Sequence, residues 1–136
     1  MKALTKISSL MALSLLAACG SKAPYAALPI DDAREMMTNV HVTNAQIRRW
    51  VRVGRAGVQR IEGTNQLKVI VPIRNITRNP LQVRVQTSFL NLERQPIGDD
   101  TNEQVQIISP GMTINHTVTS RSSEARDWSM NIGPNG

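Results

Sequence analysis

The chain has 136 residues, a net charge of +6, one cysteine and only 3% aromatic residues. That length allows one small domain, and a lone cysteine excludes any disulfide within the chain. The uncharged apolar run Ile7–Leu16 covers ten residues, about half of what a helix needs to cross a bilayer.

In chain order, a basic start with Lys2 and Lys6 leads into that run, then into Ala17, Ala18 and Cys19. This is the order of an export signal and its small-residue processing site. Leu16-Ala17-Ala18-Cys19-Gly20 resembles the bacterial lipobox, which implies that the Cys19 thiol is acylated and becomes the first residue of the mature protein. One acyl chain binds a membrane marginally and two or more hold firmly, because each buried methylene contributes about 0.8 kcal/mol. Gly20 and Ser21 follow, without the Asp that retains lipoproteins in the inner membrane. The resemblance therefore implies anchoring at the periplasmic face of the outer membrane. Residues 1–18 are expected as signal peptide, 19–38 as lipidated N-terminus and flexible tether, and 39–136 as the folded domain. Without Lys2 and Lys6, 14 basic residues face 10 acids and the charge falls to +4, which makes no case for nucleic acid.

GSKAPYAALP, residues 20–29, has the composition of a tether. Residues 30–37, IDDAREMM, read as a helical turn with Asp32 and Glu35 as a capping box, or as coil. From Val40 onward the apolar period is two. Val40 and Val42 alternate; Ile47, Val51 and Val53 flank Trp50; Leu67, Val69, Val71 and Ile73 share a face. Leu81, Val83, Val85, Thr87 and Phe89 do the same, with Gln82, Arg84, Gln86 and Ser88 turned outward. Val105 and Ile107 continue the pattern, then Ile114, His116 and Val118, then Trp128, Met130 and Ile132. Turn residues separate these runs at Glu62–Asn65, Asn75–Pro80, Gln95–Asp100 and Ser109–Gly111. The expectation is an all-β fold: an antiparallel immunoglobulin-like β-sandwich of six or seven strands. Pro72 removes a ladder donor, so its strand is expected at an edge or bulged there. Trp50 and Trp128 are expected in the core.

The block Val69–Val118 carries a wider likeness. A strand ends at Arg74-Asn75, a polar turn reaches Pro80-Leu81, an alternating strand runs to Phe89-Leu90-Asn91, and Val105–Ser109 leads into Pro110-Gly111. Together with the lipobox, this resembles the YcfL-type family of bacterial envelope lipoproteins. The family's aromatic hairpin with a D-x-x-G turn is replaced here by Thr87–Arg94. The resemblance implies a periplasmic sandwich associated with cell-wall assembly, and it transfers no catalytic residue.

Chemistry-bearing motifs are sparse. His41 and His116 are the only histidines, and their spacing matches no zinc motif. His116 alternates with core positions and reads as a buried structural histidine; His41 faces outward. Asp99, Asp100 and Glu103 match no calcium loop and read as a solvated turn. There is no nucleophile elbow and no phosphate-binding glycine loop. The expectation is therefore a non-enzyme with no catalytic residue, no metal and no cofactor beyond the lipid on Cys19. Arg48, Arg49, Arg52, Arg55 and Arg60 fall in 13 residues without an acid. On a strand, Arg48 and Arg52 would share a face with Trp50. With Arg84 they form the candidate interaction surface, suited to carboxylate or phosphate, the alternative being a solvated face that protects sheet edges. The function expected is an interaction module in a cell-envelope complex, with an unidentified envelope protein as partner. The alternatives are a component of a secretion apparatus or a peptidoglycan-binding domain.

Overall fold

The computed structural model describes residues 24–30, 39–98 and 102–135. Cys19, the capping box at Asp32 and Glu35, and the Asp99-Asp100 turn lie outside these residues. The elements are β1 (Tyr25–Ala26), β2 (Val40–Val42), α1 (Ala45–Trp50), β3 (Val51–Val53), β4 (Gly57–Arg60), β5 (Leu67–Asn75), β6 (Leu81–Leu90), β7 (Asn102–Ile108), β8 (Thr113–Thr119) and β9 (Asp127–Pro134).

Two sheets enclose one core. The larger runs β1-β2-β9-β6-β7; the smaller has β5 at its centre, β8 on one side and β3 with β4 on the other. This is the all-β sandwich expected, antiparallel throughout except for β2, which lies parallel to β9. The inward residues Val40, Val42, Val51, Val53, Val69, Val71, Ile73, Val83, Val85, Phe89, Ile108, Met130 and Ile132 are fully buried. With so few aromatics, β-branched side chains fill the interior, and these also favour the extended backbone.

Pro72 lies in a central strand, not at an edge. Its amide-less nitrogen faces the gap between β3 and β4. There the pairing slips by one residue: Val53 is opposite Ile73, whereas Gly57 is opposite Ile70. Three residues on one strand thus span two on the other, a β-bulge placed where proline offers no donor. Gly54 donates its N–H to the Pro72 carbonyl at 2.9 Å. A Cβ on Gly54 would sit 3.1 Å from Pro72 Cβ and Cγ, so any larger residue there would require the proline ring to shift.

Ala45–Trp50 is helical where strand was expected. Asn44 caps it, its Oδ1 accepting from the N–H groups of Gln46 at 2.9 Å and Ile47 at 3.0 Å. Ile47 packs inward, and the helix stops where the β-branched Val51 and Val53 resume. The helical phase turns Trp50 outward, leaving it 36% exposed, while Trp128 is buried as expected at 6%.

The alternation in β7 is also shifted. Ile108 is fully buried, whereas Val105 and Ile107 are 46% and 65% exposed. The Ile107-Ile108 doublet suits either phase. Pairing of Ile108 with inward-facing Leu81 selects the observed one.

Tyr25–Ile30 falls in the stretch read as tether, and it is bound to both sheets. Ala27 N–H bonds the Val40 carbonyl of the larger sheet; Val53 N–H bonds Leu28, and Ile30 N–H bonds Val53, in the smaller. The segment is a strap across one side of the sandwich.

Candidate functional site

The six arginines of the candidate surface do not gather into one patch. Those around α1 are turned back on the chain. Arg48 Nε donates to the Ala26 carbonyl at 2.8 Å, with its guanidinium 6.0 Å from the Tyr25 ring centre. Arg52 Nη1 donates to the carbonyls of Arg48, Arg49 and Val51 at 3.4, 3.1 and 2.9 Å. It thereby satisfies helix-end acceptors that have no partner inside the helix. Arg60 bonds the Asn65 and Ala125 carbonyls at 2.9 and 2.7 Å. Arg49 and Arg55 are exposed, and Arg55 is engaged in an interaction of its own. Arg84 lies apart, on the outer face of the larger sheet. These side chains are held chiefly by backbone carbonyls, with the positive charge left toward solvent.

His116 is fully buried. Its Nδ1 hydrogen-bonds Gln106 Nε2 at 2.9 Å, a contact between the two sheets. Its Nε2 has no partner among the described residues, nor has the hydroxyl of buried Thr87. Burial holds the His116 pKa below the usual histidine value, since the interior disfavours the charged ring. His41 stands on the opposite, outer face of the larger sheet, in register with Asn131. The two histidines are not brought together. Among the described residues no three His, Cys, Asp or Glu side chains cluster as metal ligands.

A polar hollow of about 130 Å³ lies on that outer face, lined by Thr43, Arg84, Gln86, Glu103, Asn131, Gly133 and Pro134. Its floor is Gly133, where a Cβ would come within 2.5 Å of Thr43 Oγ1. Arg84 Nε bonds Glu103 Oε1 at 2.7 Å and Arg84 Nη2 bonds Asn135 Oδ1 at 3.3 Å. Cross-strand register sets His41, Asn131, Gln86 and Glu103 in one row. The hollow thus offers cationic, anionic, amide and hydroxyl groups, suited to holding a polar side chain. Of its lining, the sequence reading had Arg84 and Gln86; Gly133, interrupting the alternation after Ile132, was the available signal for the rest.

A second cleft, about 230 Å³, is lined by Trp50, Thr77, Asn79, Pro80 and Leu81. Behind it Asn75 is fully buried and uses its whole amide. Nδ2 donates to the Asn79 and Ile108 carbonyls at 2.7 and 2.9 Å, and Oδ1 accepts from Thr77 N–H and Oγ1 at 2.8 and 2.7 Å. The Ile108 bond crosses from the smaller sheet to the larger.

No family model matches this sequence, and no curated protein matches it at a significant level. Solved structures do resemble it in shape. Cj0090 of Campylobacter jejuni superposes with a TM-score of 0.60 at 14% identity, covering 71% of this chain and 98% of its own. A DUF1425 family member from Shewanella sp. pv-4 gives a TM-score of 0.54 at 12% identity, covering 60% of this chain and 75% of its own. At these identities the likeness is one of fold: the sandwich described above is shared with two bacterial proteins.

Proposed function

We propose that this chain is a lipid-anchored envelope protein of the YcfL type, held at the periplasmic face of the outer membrane through Cys19. Its sandwich serves as a non-enzymatic interaction module in a cell-envelope complex. The observation that carries the reading is the lipobox itself: a basic start, an apolar run, small residues and then Cys19, ahead of a single small domain. The contact surface is the outer face of the larger sheet around Gly133, where Thr43, Arg84, Gln86 and Asn131 surround the polar hollow. We prefer it to the arginine patch, because Arg48, Arg52 and Arg60 are spent on the chain's own carbonyls.

Two experiments test it. Cells fed a labelled fatty acid should label the parent chain and not Cys19→Ser, and the variant should leave the membrane fraction; retention in that fraction refutes the anchor. A photo-crosslinking residue at position 84 should capture one envelope protein in living cells, and a wall-assembly or a secretion protein there names the pathway. Absence of any adduct, with the protein folded and anchored, refutes the surface.

A further inference from the structure

The two sides of the sandwich are finished differently. On one side the strap Tyr25–Ile30 ties the sheets together, and the β3–β4 edge is bulged and carries Arg52, Arg55 and Arg60. Short, bulged, charged or covered edges are how proteins prevent a sheet from pairing with another chain. On the other side β7 and β8 are both outermost among the described residues, seven residues each, without proline or bulge. Glu103 is the only formal charge in the two strands.

Their unpaired backbone groups follow from the register. Pro72 directs its carbonyl at Gly54, away from β8, and Asn75 bonds toward the β7–β8 turn. By alternation Val69, Val71 and Ile73 bond β8, which leaves Thr113, Asn115, Thr117 and Thr119 with their N–H and C=O groups on the free edge. In the same way Arg126 N–H bonds the Leu90 carbonyl, on the β9 side of β6. That places the backbone groups of Glu103, Val105 and Ile107 on the free edge of β7. The exposed Val105 and Ile107 side chains stand beside them.

Both edges are self-complementary. Turned antiparallel on itself about His116, β8 sets Thr113 against Thr119, Ile114 against Val118 and Asn115 against Thr117. Turned about Gln106, β7 sets Val105 against Ile107, and Glu103 against Ser109 rather than against another acid. The hydrogen bond between Gln106 and His116 puts the two centres at one level. One two-fold axis perpendicular to the sheets therefore serves both. The charge distribution agrees: the arginines of α1, β3 and β4 lie on the far side, so two copies meeting here keep that arginine-rich run apart, and Lys68, Arg74 and Arg84 stand one strand back from the edge.

We propose that this side of the sandwich pairs with a second copy of the chain, β7 on β7 and β8 on β8, extending both sheets through the dyad at Gln106 and His116. The pairing is independent of the envelope partner proposed above. Two edges of seven residues make an interface below the roughly 20–30 residues a side of a standard one, so the dimer is a weak one.

The test is disulfide trapping in intact cells that express two differently tagged full-length copies carrying Thr113→Cys with Thr119→Cys. Directly opposed residues in such a pair lie about 5.5 Å apart at Cα, within reach of a disulfide. Mild oxidation should give a band of twice the monomer mass containing both tags. The parent chain and a Val58→Cys variant on the far edge should not give it. Adding Ile107→Lys, an exposed position, should reduce the trapped fraction at least tenfold while the protein still accumulates. No double-mass band, a band indifferent to Ile107→Lys, or a band joining the chain to a different protein overturns the proposal.

Discussion

Asn75→Ala should be among the most damaging single substitutions in this domain, although the residue looks like an ordinary turn asparagine. The side chain makes four hydrogen bonds, and it is fully buried. The Thr77 and Asn79 groups sit near solvent and can be rehydrated. The Ile108 carbonyl is fully enclosed and would lose this partner. The Ile108 carbonyl keeps its pairing with Leu81; net losses of about 1 kcal/mol for each of the four bonds, less what rehydration of the Thr77 and Asn79 groups recovers, give a cost of about 3 kcal/mol. For a domain of this size that lowers Tm by roughly 12 °C. Equilibrium urea unfolding of the unlipidated Cys19→Ser chain, followed by far-ultraviolet circular dichroism, measures it directly. Thr77→Ala, which removes a hydroxyl that bonds Asn75 Oδ1 and Asn79 near the surface, should cost about 1 kcal/mol in the same assay. If Asn75→Ala costs no more than Thr77→Ala, the bond between sheets is not what holds this end of the sandwich together.

His116 sets a pH dependence. Its folded pKa lies below the ordinary value of about 6.5, so the unfolded chain binds the extra proton first; stability from this residue is full above that pH and falls as pH drops toward the folded pKa, by at most about 1.4 kcal/mol per unit. Urea midpoints at pH 7.5 and 5.5 should differ in that direction, and the difference should shrink in His116→Leu. Gly133→Ala should destabilise by about 1 kcal/mol through contact with Thr43 Oγ1, and a Thr43→Ala background should remove the penalty, as a double-mutant cycle on unfolding energies will show. Trp128→Ala should cost about 3–5 kcal/mol and Trp50→Ala well under half of that, in line with their burial; equal costs would contradict the helical placement of Trp50.

The parts of this fold legible in the sequence are those where one face dominates. In β6 the residues Leu81, Val83, Val85, Thr87 and Phe89 alternate with polar ones, and all five are buried. Where the pattern is short or doubled, tertiary contacts decide. Over six residues, QIRRWV fits a strand or a helical turn equally; the Asn44 side chain tips it to helix by satisfying two N–H groups. The Ile107-Ile108 doublet leaves the phase of β7 open until Leu81 is known to lie opposite. Pro72 was readable as a disturbance, but not as one in a central strand, because the bulge that accommodates it lies 18 residues earlier at Gly54. The arginine run shows the limit most clearly. Spacing reveals the charges and hides the carbonyls that Arg48, Arg52 and Arg60 bind. The hollow around Gly133 draws on three strands and the loop after β2, so no stretch of sequence announces it.

The parallel pairing of β2 with β9 fixes the order in which this molecule can be completed. β9, last of the described strands, sits in the middle of the larger sheet between β2 and β6. Val40 meets Met130, and Val83 meets Pro134. Until those residues have left the ribosome, β2 can pair only with β1, and β6 lacks its neighbour on the β9 side. Contacts of such sequence separation make folding slow, on the millisecond-to-second scale of all-β domains. For a chain that we propose is exported, this delay is useful: a polypeptide whose keystone strand arrives last stays threadable for as long as it is being made.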